Sequence, residues 1–264
     1  MELGLRDRRA LVTGSTAGIG FATAKLLAGE GADVILNGRT ERRVQDAIAI
    51  IREDFPSAQL SGVAADLSSA EGCSALLERV PAVDILVNNL GIFEPKPFEE
   101  IPDEDWLRFF ETNVMSGVRL CRHYLPRMRI RSWGRIVFVS SESAVQIPSE
   151  MIHYGVTKTA QVALARGIAE TTAGTGITVN SVLAGPTASE GVSTFVEQLA
   201  RSRGVDFATM ERDFFEHARP SSLLRRFARP DEVASAIVYL CSEQASATTG
   251  AAVRADGGVV RAIL

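Results

Sequence analysis

The order of apolar and amphipathic stretches predicts an α/β fold: one domain with a doubly wound, seven-stranded parallel sheet and helices on both faces. Three observations carry this. Runs such as RALVT at 9–13, DVILN at 33–37 and RIVFV at 135–139 are nearly all apolar, as in strands buried on both sides. Longer helical stretches separate the runs, which makes right-handed crossover units. Glycine and polar residues follow the strand ends at six places, where sheets of this kind bind ligands.

The predicted strands are 9–13, 33–37, 58–64, 84–87, 135–139, 177–182 and 250–254, each bounded by turn-forming or helical sequence. The helices between them are 21–29, 41–54, 71–79, a long one over 103–128, 154–171 and 231–240. No internal repeat or low-complexity linker divides the 264 residues, and 46% hydrophobic content suffices for one core.

A formal net charge of −4 leaves no concentrated basic surface for nucleic acid or an anionic membrane. The short clusters Arg225-Arg226 and Arg127 to Arg131 read as solvated faces or helix ends. Cys73, Cys121 and Cys241 lie far apart without paired spacing, and His123, His153 and His217 are as scattered, so neither a disulfide framework nor a metal site is expected. The N-terminus lacks an apolar signal core, and no run approaches the roughly 18 apolar residues of a membrane span. A cytoplasmic location follows as the expectation.

The first strand runs into Thr13-Gly14-Ser15-Thr16-Ala17-Gly18-Ile19-Gly20. Glycines there permit a tight turn, and the following helix offers free N–H groups to a pyrophosphate. The second strand ends Asn37-Gly38-Arg39, without the acidic residue that would bind an adenosine ribose hydroxyl. A guanidinium pairs with a 2′-phosphate, so NADP(H) is favoured over NAD(H). Against this, Ala17 adds no second basic group to the turn, and Arg39 also fits a solvated first-turn position. Asp66-Leu67 follows the third strand; Asp66 suits either an adenine amino group or a helix cap, with Ser68 and Ser69 as rival caps. In Asn88-Asn89-Leu90-Gly91 the asparagines can tie strand ends together and Gly91 can admit a ribose, or the segment is a plain turn.

Tyr154 and Lys158 are four apart in a helical stretch, hence on one face, in a chain with only three lysines. An ammonium there is expected to lower the phenol's pKa toward neutrality and make Tyr154 a general acid or base. The competing reading is a half-buried tyrosine beside a solvated lysine. Ser141, thirteen residues before Tyr154, can bridge a substrate oxygen and the tyrosine; Ser140 lies on the opposite pleat. Asn113 sits mid-helix, where its amide either disturbs the helix and holds a relay water near Lys158 or merely occupies a polar face.

Taken together, TGSTAGIG at 13–20, Asp66, NNLG at 88–91, Asn113, the Ser141–Tyr154 spacing, YGVTK at 154–158 and DGG at 256–258 resemble the short-chain dehydrogenase/reductases over essentially the full length. The layout is similar to 3-oxoacyl-carrier-protein reductases. The resemblance implies a Rossmann fold, a catalytic tetrad of Asn113, Ser141, Tyr154 and Lys158, and ribose contacts from Tyr154 and Lys158. It further implies cofactor contacts at Gly14, Ser15, Thr16, Gly18, Ile19, Gly20, Arg39, Asp66, Leu67, Asn89 and Gly91. Gly185, Pro186 and Thr187 would hold the nicotinamide carboxamide. A homotetramer and a substrate lid over 189–226, with Phe195, Leu199, Phe207, Met210, Phe214 and Phe215 as an apolar wall or as simple packing, also follow from it. Two departures stand out: Leu90 replaces the usual alanine, and Ala184-Gly185 the usual Pro-Gly.

The expected activity is NADP(H)-dependent interconversion of a carbonyl and an alcohol on a small molecule. A catalytically silent nucleotide sensor and a nucleotide-sugar epimerase are the alternatives; the intact tetrad counts against the first, and the short chain after the last strand against the second.

Overall fold

In the computed structural model, residues 2–263 are described, except for the side chains of 193–195, 198, 199, 202 and 203. Phe195 and Leu199, named above for the apolar wall, therefore lie outside the described side chains. The strands are β1 (Arg9–Val12), β2 (Asp33–Gly38), β3 (Leu60–Ala64), β4 (Ile85–Asn88), β5 (Gly134–Ser141), β6 (Ile177–Ala184) and β7 (Ala252–Ala255). They form one sheet in the order β3-β2-β1-β4-β5-β6-β7. Every pairing is parallel. The order reverses between β1 and β4, which opens a crevice at their carboxyl ends.

The helices are α1 (Gly18–Gly29), α2 (Glu41–Asp54), α3 (Ala70–Arg79), α4 (Asp103–Phe110), α5 (Ser116–Arg131), α6 (Ile152–Glu170), α7 (Glu190–Arg203), α8 (Phe207–Asp213) and α9 (Pro230–Cys241). Successive strand side chains point to opposite faces, and both faces are covered. Val12, Leu36 and Val87 pack with Leu27 of α1, Val44 of α2 and Ile237 of α9. Leu11, Ile35, Leu86 and Phe138 pack on the other face with Leu76 of α3, Leu120 and Tyr124 of α5 and Ala165 of α6.

The long helix expected over 103–128 is not continuous. A π-helical turn at Glu111–Met115 separates α4 from α5. One residue more than an α-turn is accommodated there, and the strained ladder falls on Asn113, whose side chain and carbonyl both find partners outside the helix. The first helix begins three residues earlier than predicted, because Gly14 and Gly18, at φ +59 and +59, let the turn fold back onto the sheet.

Two glycines give opposite expectations. A Cβ at Gly20 would lie 2.4 Å from Asn89 Nδ2 and 2.6 Å from the Gly14 carbonyl oxygen. Gly20→Ala is expected to lose about 1–3 kcal/mol in urea unfolding through overpacking. Gly167 is exposed within α6 with nothing within 4 Å of its would-be Cβ, so Gly167→Ala is expected to gain about 0.5–1 kcal/mol. A Gly20→Ala protein as stable as wild type would contradict the close packing of the turn against β4.

Candidate active site

The turn between β1 and α1 is held by side chains rather than by chance contact. Thr13 Oγ1 accepts from the Asn89 and Leu90 amides at 2.9 and 3.0 Å, and Asn89 Nδ2 donates to the Thr13 and Gly14 carbonyls at 2.9 and 3.1 Å. Asn89 thus ties the ends of β1 and β4 together. Ser15 turns inward, its hydroxyl donating to the Val12 carbonyl at 2.7 Å. No side chain caps the N-terminus of α1, and its first turn carries no acidic residue. Those amides suit an anion, and the absence of room for a Cβ at Gly20 keeps the backbone close. The cradle therefore fits a dinucleotide pyrophosphate.

The remaining cofactor candidates are placed as follows. Arg39 is exposed just past β2, and a Cβ at the neighbouring Gly38 would lie 2.5 Å from Thr16 Cγ2, which brings Thr16 against this strand end. Asp66 is exposed past β3; its Oδ1 accepts from the Ser68 amide at 3.1 Å, while Ser69 caps α3 through the Gly72 amide at 3.0 Å. Leu67 is buried, so only its backbone faces the crevice side of the turn. A Cβ at Gly91 would lie 3.3 Å from Lys158 Nζ. Gly185 is required by the Asp256 backbone, whose carbonyl oxygen would be 2.5 Å from a Cβ. Thr187 is buried and bridges to Ala228. Pro186 accepts from the Ala228 amide at 2.9 Å.

Asn113, Ser141, Tyr154 and Lys158 come together at the carboxyl ends of β4 and β5. The Asn113 carboxamide accepts from the Ile92 amide at 2.8 Å and donates to the Ile92 carbonyl and Thr157 Oγ1, each at 3.0 Å. Lys158 is buried and its Nζ lies 5.6 Å from the centroid of the Tyr154 ring. That ammonium donates to the Val139 carbonyl at 3.0 Å and to Gln161 Oε1 at 3.2 Å. Ser140, on the other pleat, donates to the Lys158 carbonyl at 2.9 Å and anchors α6 to β5. The solvated-lysine reading is thereby excluded.

Three features of the cluster were not foreseen from the sequence. The phenol of Tyr154 is pushed above its ordinary value, not lowered. Burial is the main cause and the Glu142 carboxylate adds to it; the Ser141 hydrogen bond and Arg219 oppose it. Burial instead pulls the Lys158 ammonium down to about 8, with Glu142 acting the other way. Second, the Ser141 hydroxyl donates to Glu142 Oε2, so its oxygen is left to accept, as it does from the Ser143 amide at 3.1 Å. Third, the Asn113 main-chain carbonyl accepts from Gln161 Nε2 at 2.6 Å.

Glu142, Arg219 and Gln161 were not singled out from sequence. Glu142 is buried directly after Ser141, and its Oε1 accepts from Arg219 Nε at 2.9 Å. Arg219 also donates to Glu150 Oε1 at 2.9 Å. Burial pulls the Arg219 guanidinium down, but the two carboxylates outweigh it and raise it. Adjacency to Ser141 was a signal for Glu142, and the i,i+3 spacing from Lys158 was one for Gln161. Nothing in sequence ties Arg219 to a residue 77 positions away.

In the 189–226 segment, Met210 and Phe215 are buried with Val196, Ala200 and Phe227, and Phe214 packs against that cluster. Ring centroids of Phe214 and Phe227 are 5.1 Å apart, and those of Phe207 and Phe227 6.4 Å. These residues pack on one another, which favours the simple packing reading. The apolar side chains beside Tyr154 are others: Phe93 meets its ring edge-on at 6.4 Å, and Ile147 packs against Gly155, the next residue of α6. A concavity of about 780 Å³, lined by residues that include Pro220, Leu223, Arg225, Arg254 and Ala262, contains none of the four clustered residues.

The neighbour before Tyr154 is unusual. His153 is fully buried, its ring 4.0 Å from that of Phe109, and neither ring nitrogen has a hydrogen-bond partner. Burial lowers its pKa below 6.5. The folded protein therefore holds this imidazole neutral. Its contribution to stability is complete above about pH 6.5 and is lost as pH falls toward the lower folded value, because the unfolded chain then binds the proton first. Urea unfolding between pH 8 and 5 is expected to show His153→Phe gaining on wild type as the pH drops. A constant difference across that range would contradict a neutral buried ring.

Residues 14–260 match the family model described as enoyl-(acyl carrier protein) reductase. The chain is 47% identical over 263 residues to the Bacillus subtilis (strain 168) protein named as uncharacterized oxidoreductase YvaG, covering 100% of both. It is 30% identical over 263 residues to the 3-oxoacyl-[acyl-carrier-protein] reductase FabG of Aquifex aeolicus (strain VF5), covering 98% of this chain and 100% of that one. L-sorbose reductase from Gluconobacter frateurii, solved in complex with NADPH and L-sorbose, superposes with a TM-score of 0.94 at 32% identity over 100% of both chains.

Proposed function

Because this chain belongs to the short-chain dehydrogenase/reductase family, a family of NAD(P)-dependent oxidoreductases of carbonyl and alcohol groups, we propose that it interconverts a small carbonyl compound and its alcohol with NADP(H), using Tyr154 as the proton donor and acceptor. The observation that carries this reading is the convergence of a buried ammonium and a phenol beside the uncapped α1 turn, with Ser141 at the same strand end. The nicotinamide, when bound, supplies or takes the hydride.

In this reading the turn from Gly14 to Gly20, through Gly14, Ser15, Thr16, Gly18, Ile19 and Gly20, receives the pyrophosphate. Arg39 receives the 2′-phosphate, Asp66 and Leu67 the adenine, and Asn89 and Gly91 the adjoining ribose. Tyr154 and Lys158 hold the nicotinamide ribose, and Gly185, Pro186 and Thr187 the carboxamide. In the direction of reduction the Tyr154 hydroxyl gives its proton to the substrate oxygen as the carbonyl carbon accepts hydride; in oxidation the proton returns. The phenol is protonated at neutral pH, as the donor in reduction must be. Ser141, its own proton committed to Glu142, accepts a hydrogen bond from Tyr154 or from a substrate hydroxyl.

Phe93, edge-on to the Tyr154 ring, suits an apolar flank of the substrate. Residues 189–226 form its lid, anchored through the Arg219–Glu142 pair. The chain works as a cytoplasmic homotetramer. The NADPH complex of L-sorbose reductase and the NADP complex of an NAD(P) dependent gluconate 5-dehydrogenase from Beutenbergia cavernae support the NADP(H) reading.

Tyr154→Phe is expected to lower kcat by about 10²–10⁴ while NADPH binding, read by fluorescence, survives with no more than about a tenfold loss of affinity for the one ribose hydrogen bond. Turnover equal to wild type would exclude the mechanism, and NADPH binding by the wild type with no turnover on a broad carbonyl panel would favour a sensor. Separately, Arg39→Ala is expected to reduce the NADPH-over-NADH affinity ratio by about 10–100-fold, since a charge-assisted hydrogen bond contributes about 1.5–3 kcal/mol. An unchanged ratio would remove Arg39 from 2′-phosphate recognition.

A further inference from the structure

Asn113 sits in the π-turn at Glu111–Met115, and a single buried side chain from another helix donates to its main-chain carbonyl. Gln161 is 1% exposed and lies on the same face of α6 as Lys158, three residues on. Its Nε2 donates to the Asn113 carbonyl at 2.6 Å, and its Oε1 accepts from Lys158 Nζ at 3.2 Å. One carboxamide therefore spans from the bulge to the ammonium. The other anchor of Lys158 is the Val139 carbonyl at 3.0 Å.

We propose that Gln161 is a positioning residue for Lys158: its carboxamide clamps the ammonium against β5 and couples it directly to the π-turn at Asn113. A carboxamide keeps its protons near neutral pH, so Gln161 fixes the ammonium and does not pass a proton between Lys158 and Asn113. Removing it would leave a buried carbonyl and one ammonium N–H without their partners, and a shorter amide cannot reach both. The charged groups around Lys158 are few. Glu142, on the turn after β5 and paired with Arg219, acts on it, and the Tyr154 phenol stands one turn back on α6. Gln161 contributes a neutral acceptor in that setting, and exchanging it for a charged one is a sensitive probe. The kinetic part of the inference rests on the function proposed above; the clamp itself does not.

The chain has three lysines, Lys25, Lys96 and Lys158. Lysine labelled with ¹³C and ¹⁵N gives three side-chain signals, assigned by Lys25→Arg and Lys96→Arg, and Lys158 can be titrated directly in the full-length protein. Gln161→Glu places a carboxylate against the ammonium and is expected to move its titration upward by about 1–3 pH units. Gln161→Leu and Gln161→Asn are expected to move it downward. Retained thermal unfolding of the nearly isosteric Gln161→Glu protein guards against loss of fold in the leucine variant. An unmoved Lys158 titration in Gln161→Glu and in Gln161→Asn overturns the proposal. The alkaline limb of kcat, measured in parallel, is expected to follow the titration, with KM for substrate little changed. If the titration moves and that limb does not, the clamp stands and the assigned role of Lys158 in turnover fails.

Discussion

One break in helical hydrogen bonding underlies the geometry of the site. At Glu111–Met115 the chain leaves the α-helical register, and the polar groups of Asn113 are redirected out of the helix. Its side chain locks the backbone at Ile92 and the hydroxyl of Thr157; its carbonyl locks Gln161. Three segments are thereby joined: the turn after β4, the bulge between α4 and α5, and the helix bearing Tyr154 and Lys158. The local irregularity is thus offset by hydrogen bonds that fix the reacting groups.

The site is also a place where charge is kept out of water. Lys158, Glu142 and Arg219 are all buried. Burying ions is costly unless each is paired and hydrogen-bonded. Here Oε2 of Glu142 accepts from Ser141, from the Ser143 amide at 2.9 Å and from the Ser143 hydroxyl at 3.2 Å, while Oε1 takes Arg219. Lys158 has two oxygen acceptors. The same burial that makes these pairs necessary pushes the phenol up and the ammonium down. Proximity of Tyr154 and Lys158 alone would have predicted a lowered phenol; desolvation reverses the sign because the lysine ammonium sits over the ring side and is bonded elsewhere.

Much of the architecture was legible before any coordinates. The apolar runs marked every strand, and the polar residues at their ends marked the face where Asn89, Ser141 and Tyr154 collect. The unusual position of Asn113 within a helical stretch pointed to a local disturbance, and the π-turn is that disturbance. The Arg219–Glu142 pair was not legible, because it joins residues 77 positions apart with no periodic relation. Nor was the fate of Phe207, Phe214 and Phe215: spacing allowed them to face a substrate or each other, and their packing around Phe227 favours the second.

Sequence alone determined the element order and the strand ends at which polar residues collect, because both depend on local periodicity, which the chain carries explicitly. That Asn113, Ser141, Tyr154 and Lys158 share one cluster was implied by the resemblance to the short-chain dehydrogenase/reductases, not by spacing. Tertiary structure decided the direction of each proton and charge: Ser141 donates to Glu142, Gln161 holds Lys158, and His153 stays neutral beside Phe109. Such choices are set by desolvation and by partners brought from distant segments, and these exist only once the sheet and its covering helices have closed around them.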